Sequence, residues 1–298
     1  MKHWKPAAIA ALWSGALYAA PMPVVASFSI LGDVAQQIGG ERVGVQNLVG
    51  ANQYAHAYNF TSGDIKKIRA DRLVLLSGSG LEKAELQRAV KQSKVASAEA
   101  TAGIKPLAAD EHHHEHGHDH DHDHGEFDPH VWNDPVLMQR YAANVAIALI
   151  KADPAGSRYY QQRFKDYQNV LNQLNNYANQ QFGAVAPAKR KVLTGHDSFA
   201  YLGKRYQVKF ISPQGVSSEA EPSARQITAI IRQIKAENVK AVFTENIKDG
   251  RMIARIAKET GVKVSGGLYA DALSSGAPAG TYADMFRYNV RVMSEAMK

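Results

Sequence analysis

The sequence predicts an α/β protein: two similar lobes with parallel sheets flanked by helices, joined by one long rigid helix. Three observations carry this. Short apolar runs alternate with amphipathic ones from Val24 to about Ala98, the same alternation returns after Arg190, and between them lies the most regular helical period of the chain. Strands covered on both faces read as continuous apolar runs, and their separation by helices points to parallel sheets.

In the first lobe, strands are expected at 24–30, 43–48, 72–76 and 94–98, and helices at 31–38, 62–68 and 81–92. Thr61 is the natural cap of the second helix. In the second lobe, strands are expected at 191–194, 208–211, 241–244 and 262–265, with helices at 198–205, 223–236, 250–259 and 281–297. The connector begins at Asp153, an N-cap residue, followed by Pro154 at the first helical position. Tyr160, Phe164, Tyr167, Leu171, Leu174, Ala178 and Phe182 then recur at spacings of three and four, and Pro187 stops the run. About 30 residues at 1.5 Å each make a rod of roughly 45 Å, long enough to lie across both lobes. Its apolar stripe is packing surface. The expected division is thus a first lobe over 21–152, a connecting helix over 153–186 and a second lobe over 187–298.

The 298 residues are 45% apolar and 21% charged, sufficient for a sizeable core. Net charge is +7, but the basic residues are scattered among acids with no dense aromatic-laced patch, which argues against nucleic-acid binding. Residues 1–20 read as a secretory signal: Lys2 and Lys5 precede an apolar stretch from Ala7 to Ala20, too short to span a bilayer as a helix. No cysteine is present, so neither a disulfide nor a lipid-bearing cysteine is expected. The expected location is the periplasm, by way of the signal, without a lipid anchor, and the expected state is a monomer.

One tract stands out, DEHHHEHGHDHDHDHGE over 110–126. It holds no apolar residue and is expected to be a mobile, solvated loop. Its eight histidines, His112, His113, His114, His116, His118, His120, His122 and His124, alternate with acids that offset a cation's charge, which suits weak metal capture. Of the 12 histidines, His3 lies in the signal, and only His56, His130 and His196 remain outside the tract. His56 follows a predicted strand in Tyr54-Ala55-His56-Ala57-Tyr58. His130 sits in Asp128-Pro129-His130-Val131-Trp132, and His196 follows a strand in Thr194-Gly195-His196-Asp197. Ligands of open parallel sheets bind beyond the carboxyl ends of strands, so the three can converge between the lobes. Asp271, after the last predicted strand, is the candidate fourth donor, with Glu219, Glu221 and Glu245 as competitors. Three imidazoles and one carboxylate suit Zn²⁺, whereas manganese calls for more oxygen.

With these residues in view, the chain resembles the substrate-binding proteins of zinc/manganese ABC importers, the cluster A-I family. The motifs that carry the resemblance are VVASFSILGD at 24–33, AHAY at 55–58, DPHVW at 128–132, GHDSF at 195–199, QGVSSEAEPS at 214–223 and LYADAL at 268–273. The resemblance implies a high-affinity zinc-binding protein, not an enzyme, that serves a membrane permease, with a periplasmic zinc chaperone as a further partner. It implies His56, His130, His196 and Asp271 as metal ligands. Manganese members typically have a glutamate where His196 stands, and the His/Asp loop is a feature of zinc members. The prolines that the family usually has near Phe60 and Ser62 are absent, and so is the second-lobe disulfide of many zinc members. Three alternatives stay open: a manganese-binding member, a periplasmic zinc buffer that uses only the tract, and a zinc hydrolase. The last lacks a His-Glu-x-x-His helix or paired catalytic carboxylates.

Overall fold

The structure is a computed structural model and describes residues 20–109, 127–216 and 221–298. The histidine tract, Glu219 and nearly all of the expected signal lie outside them.

Strand β1 (Met22–Phe28) runs directly into α1 (Ser29–Gly39), followed by β2 (Val43–Val49), α2 (Ser62–Ala70), β3 (Leu73–Leu76), α3 (Ala84–Ser93) and β4 (Ala96–Glu99). The four strands form one parallel sheet in the order β2-β1-β3-β4. Central β1 is buried on both faces from Val24 to Phe28, as its unbroken apolar run required. Thr61 caps α2 through a capping box with Asp64. Strand β4 starts two residues later than the sequence pattern suggests, because Lys94 adopts a left-handed conformation to close α3.

A two-residue antiparallel pair, β5 (Leu107–Ala108) and β6 (Phe127–Asp128), then brings together the two ends that flank 110–126. Helix α4 (Leu137–Ala152) leads to the connector. Asp153 does cap it, accepting from Gly156 N, but Pro154–Gly156 is a 3-10 turn and helix α5 spans Ser157–Gly183. At 27 residues it is about 40 Å long.

The second lobe contains β7 (Lys191–Leu193), α6 (Ala200–Tyr206), β8 (Lys209–Ile211), α7 (Ala224–Glu237), β9 (Ala241–Glu245), α8 (Arg251–Thr260), β10 (Gly266–Leu268) and α9 (Tyr282–Met297). Its parallel sheet has the order β10-β9-β7-β8. Read from the other edge, this is second, first, third, fourth, the same order as in the first lobe, so the lobes are topological repeats. The last strand is not the expected 262–265. Val262 and Val264 instead pack into the apolar layer around Ile253 and Ile256, while Gly266-Gly267-Leu268 makes the ladder with β9. Two glycines carry no strand propensity, and the attractive valines belong to the lead-in.

One contiguous apolar core includes Val24 and Leu75 of the first lobe, Tyr160 and Leu174 of α5, and Val192, Leu268 and Phe286 of the second. Helix α5 lies against α1, α4 and α9. Arg42 pairs with Asp153 at 2.7 Å near its start, and Tyr206 donates to Asn175 at 3.0 Å near its end. A core shared between lobes resists wide hinge opening, because separating them would expose it.

Candidate metal centre

The connections that return from the middle of each sheet leave a switch point at the strands' carboxyl ends. His196 follows β7, Glu245 ends β9 next to it, and Asp271 follows β10. From the first lobe, His56 lies in the β2–α2 connection and His130 follows β6. All four predicted donors meet between the lobes, and each is buried.

Asp271 is the hub. Its Oδ1 is 3.2 Å from His130 Nε2, and its Oδ2 is 3.1 Å from His196 Nε2 and 3.9 Å from His56 Nε2. The Nε2 atoms of His56 and His130 are 3.2 Å apart. Donor atoms of His56, His130 and Asp271 all lie within 4.8 Å of one another, and His196 joins through Asp271. Donors about 2.0–2.1 Å from a tetrahedral ion stand about 3.3 Å apart, so these edges match a small ion with little rearrangement. Both Asp271 oxygens and His196 Nε2 are buried and make no well-formed hydrogen bond. Orphaned buried polar atoms are costly, and either protons on the facing imidazoles or a cation among the donors would satisfy all three.

The imidazoles are oriented from behind. Asp128 Oδ1 accepts from the His130 backbone N at 2.8 Å and from its Nδ1 at 2.7 Å. Glu245 Oε1 accepts from Gly195 N and His196 N, while Oε2 accepts from His196 Nδ1 at 2.6 Å. A donated Nδ1–H leaves Nε2 as the ligating atom and raises its basicity. Burial disfavours charge on both rings, but Asp271 and Asp128 outweigh it at His130, whose pKa rises to about 10. Glu245 and Asp271 do the same at His196, which rises to about 8. At His56 burial prevails over Asp271, His130, His196 and Lys248 push in the same direction, and the pKa falls to about 3. Burial would raise Asp271, yet His196 and His130 hold it well below the ordinary carboxylate range.

The floor of the centre is bolted across the lobes. Trp132 Nε1 donates to Ala270 O at 2.7 Å, Asn133 Nδ2 to Ser198 O at 2.7 Å, and Arg205 meets Asp134 at 2.7 Å. Asn289 holds the Asp271 loop through Tyr269 N and O, and Leu273 N donates to Ser29 Oγ.

Of the competing carboxylates, Glu245 stands behind His196 as an orienting group, outside the donor set. Glu221 is exposed and lines the outer cleft with Tyr54 and Lys248. Sequence reasoning gave no role to Asp128. Its signal was the two-residue spacing in Asp-Pro-His, which lets an aspartate accept from the backbone and ring of the histidine. His112, His113, His114, His116, His118, His120, His122 and His124, expected to capture metal, lie outside the described residues.

A two-lobed fold with a rigid connector and a buried nitrogen-rich donor set between the lobes defines a metal-binding solute-binding protein. The family described as zinc-uptake complex component A, periplasmic (ZnuA), matches residues 24–296. The chain belongs to that family. The manganese-binding lipoprotein MntA of Bacillus subtilis is 31% identical over 287 residues, covering 93% of this chain and 90% of MntA. The iron-binding protein YfeA of Yersinia pestis is 28% identical, covering 91% of this chain and 85% of YfeA. The periplasmic zinc-binding protein TroA of Treponema pallidum shares the fold, with a TM-score of 0.84 at 24% identity, over 93% of this chain and 99% of TroA.

These are solute-binding proteins of ABC transporters, not enzymes, so the hydrolase alternative falls. They work with the membrane permease and ATPase components of metal importers. The chain is therefore a periplasmic substrate-binding protein for a divalent metal. One expectation is withdrawn. MntA, and PsaA of Streptococcus anginosus, are named lipoproteins, which conflicts with a protein free of any lipid anchor. That expectation rested on the lack of cysteine. The fold gives it no support, because anchoring is decided in the leader, outside the described residues.

Proposed function

We propose that this protein captures Zn²⁺ in the periplasm and delivers it to the permease of a zinc ABC importer, with His56, His130, His196 and Asp271 as the ligands. The observation that carries this is the donor set itself: Asp271 lies 3.2, 3.1 and 3.9 Å from Nε2 of His130, His196 and His56, and the His56 and His130 Nε2 atoms are 3.2 Å apart. Nitrogen-rich tetrahedral sites favour zinc over harder ions. Asp271, Asp128 and Glu245 together bring three negative charges to balance the cation. Competition titration of the metal-stripped protein tests the assignment. Zinc is expected to bind at least about a hundredfold more tightly than manganese, following the ordinary affinity order of divalent ions in such a site. Equal or tighter manganese binding overturns it.

A manganese-carrying function is the second reading. Both Asp271 oxygens face imidazoles, so the carboxylate can bind through both and raise the oxygen count, and MntA is named for manganese. Because zinc outranks manganese in most such sites, the two readings are separated by which ion the protein carries when isolated from cells supplied with both: manganese would support the second.

Residues 1–20 serve in this reading as an export signal. The eight histidines from His112 to His124 capture zinc weakly, and a periplasmic chaperone is a further donor of metal. Tethering raises local metal concentration to the millimolar range for a short link. Deleting 111–125 is expected to leave one tight site and slow loading when zinc is scarce. Loss of the tight site would instead support the buffer alternative.

A further inference from the structure

The three ligands held by the bolted floor cannot leave without breaking inter-lobe contacts. The other wall of the centre is different. The connection that carries His56 touches the second lobe mainly through its own tip: Asn52 N donates to Leu273 O at 2.8 Å, and Asn246 Nδ2 donates to Asn52 Oδ1 at 3.0 Å. A contact of another kind lies deeper in the same connection.

The Tyr54 ring stands 5.3 Å from the His56 ring and 5.9 Å from the His196 ring, so one side chain covers a donor from each lobe. Lys248, in the β9–α8 connection of the second lobe, places its ammonium 4.7 Å from the Tyr54 ring centroid. Lys248 Nζ also donates to Gln214 Oε1 at 3.0 Å. Gln214 is bridged to His196, and its carbonyl accepts from Asp197 N. The lysine is thus tied to the strand end that presents His196 and rests on the aromatic ring of the opposite lobe.

Outside this pair is an open cleft of about 680 Å³, lined by Tyr54, Gln214, Lys248, Met252 and Arg255 among others and by none of the four donors. Tyr54 lines the cleft on one side and contacts two donor rings on the other. An ion that leaves by the cleft must displace it.

We propose that Tyr54 and Lys248 form the exit gate of the metal centre, a cation–π contact across the lobes whose opening sets the rate at which the ion leaves and enters. This rests on the reading of His56, His130, His196 and Asp271 as ligands. The contact is strong enough to delay exchange and weak enough to break when a partner engages the cleft. The charge on Lys248 serves a second purpose. It stands 4.7 Å from the ring that lies against His56 and His196, so it opposes an approaching divalent cation. Removing it therefore speeds entry as well as release.

The test is stopped-flow transfer of zinc from the loaded full chain to excess chelator, together with association rates and equilibrium titration. Lys248→Met and Tyr54→Leu are expected to release zinc about tenfold faster, with association faster by a similar factor and the equilibrium affinity nearly unchanged. Lys248→Arg and Tyr54→Phe keep the cation and the ring and are expected to stay within about twofold of the wild type. Release from Lys248→Met no faster than from the wild type overturns the gate. So does a variant that loses affinity in step with faster release while association is unchanged, since the pair then merely supports the bound state. His196→Ala separates the two levels. If it binds zinc as tightly as the wild type, the ligand assignment fails. If it loses binding while Lys248→Met is not accelerated, only the gate fails.

Discussion

His56 and His130 come from the same lobe and their Nε2 atoms are 3.2 Å apart, yet they are held in opposite ways. His130 is fully buried, its Nδ1 rests on Asp128, and the next three residues reach across the lobes through Trp132 and Asn133. Among the described residues no carboxylate backs His56, which lies in a connection whose tip, Asn52 and Gln53, is exposed. In the second lobe His196 repeats the arrangement of His130, with Glu245 in the place of Asp128. The difference teaches that the centre has a fixed side and an adaptable side. Two pre-oriented, strongly basic imidazoles and Asp271 form a seat, and a weakly basic imidazole closes onto it.

The largest effect should come from the fixed side. His130→Ala or His196→Ala removes a pre-oriented donor and leaves its carboxylate buried with backbone partners alone. Zinc affinity is expected to fall by well over about a hundredfold, more than orienting groups typically contribute. His56→Ala is expected to lose clearly less, because a water can fill the position that its connection vacates. Equal losses, read by competition titration, would break the distinction between the two sides.

The orienting carboxylates come next. Asp128→Asn and Glu245→Gln keep the shape and remove the charge that fixes each tautomer. Each should weaken zinc binding by about 10–100-fold. An affinity for Glu245→Gln equal to that of the wild type would show that His196 needs no partner.

This distribution of roles also marks what could be read from the sequence. The convergence of the four residues was legible because His56, His196 and Asp271 were expected after strand ends, which gather at one edge of parallel sheets, and the Asp-Pro-His-Val-Trp setting set His130 apart. The carboxylates were only half legible. Glu245 was visible as an acid at the right edge, but whether it faces the ion or the back of His196 is a matter of about one side-chain length. The gate was not legible, since Tyr54 and Lys248 belong to separate lobes and no period or motif links them. For the same reason β10 was misplaced: local propensity favours Val262 and Val264, whereas the ladder with β9 decides for two glycines.

Proton release on metal binding sharpens the comparison further. Near pH 7 the metal-free centre holds protons on His130 and His196, whose pKa values are raised to about 10 and about 8, and none on His56, lowered to about 3. Zinc must displace what the fixed side holds. Titration calorimetry in buffers of different ionisation enthalpy is expected to find about two protons released per ion near pH 7. Apparent affinity should keep rising with pH above 6.5, the range in which an unperturbed imidazole would already be deprotonated. Release of no protons near pH 7 would contradict the raised basicity of the fixed side.

The smallest effect is on the stability of the metal-free chain. A histidine whose pKa is raised on folding adds stability that is fully present below its unfolded value, near 6.5, and is lost as pH climbs through its folded value. His130 and His196 both act in this direction, so the metal-free protein should lose stability from about pH 6.5 towards 9. His56 acts oppositely, but only as pH falls from 6.5 towards 3, and Asp271 loses its contribution at still more acidic pH than an ordinary carboxylate. The shifted tyrosines, Tyr58, Tyr141 and Tyr160 among them, are raised above their usual value near 10 and do not titrate in this window. Asp33 and Glu82, raised by burial, act in the same sense where they ionise, so the share of the two carboxylate-backed histidines is the part that zinc abolishes. Melting temperature without metal is expected to drop by at least about 2–4 °C between pH 6.5 and 9, the shift that corresponds to roughly 1 kcal/mol in a chain of this size class. With zinc bound the protons are already gone, so the drop should largely vanish. A metal-free melting temperature that rises across this interval would mean that the paired histidines fold neutral, and the fixed side would then owe its order to packing and not to charge.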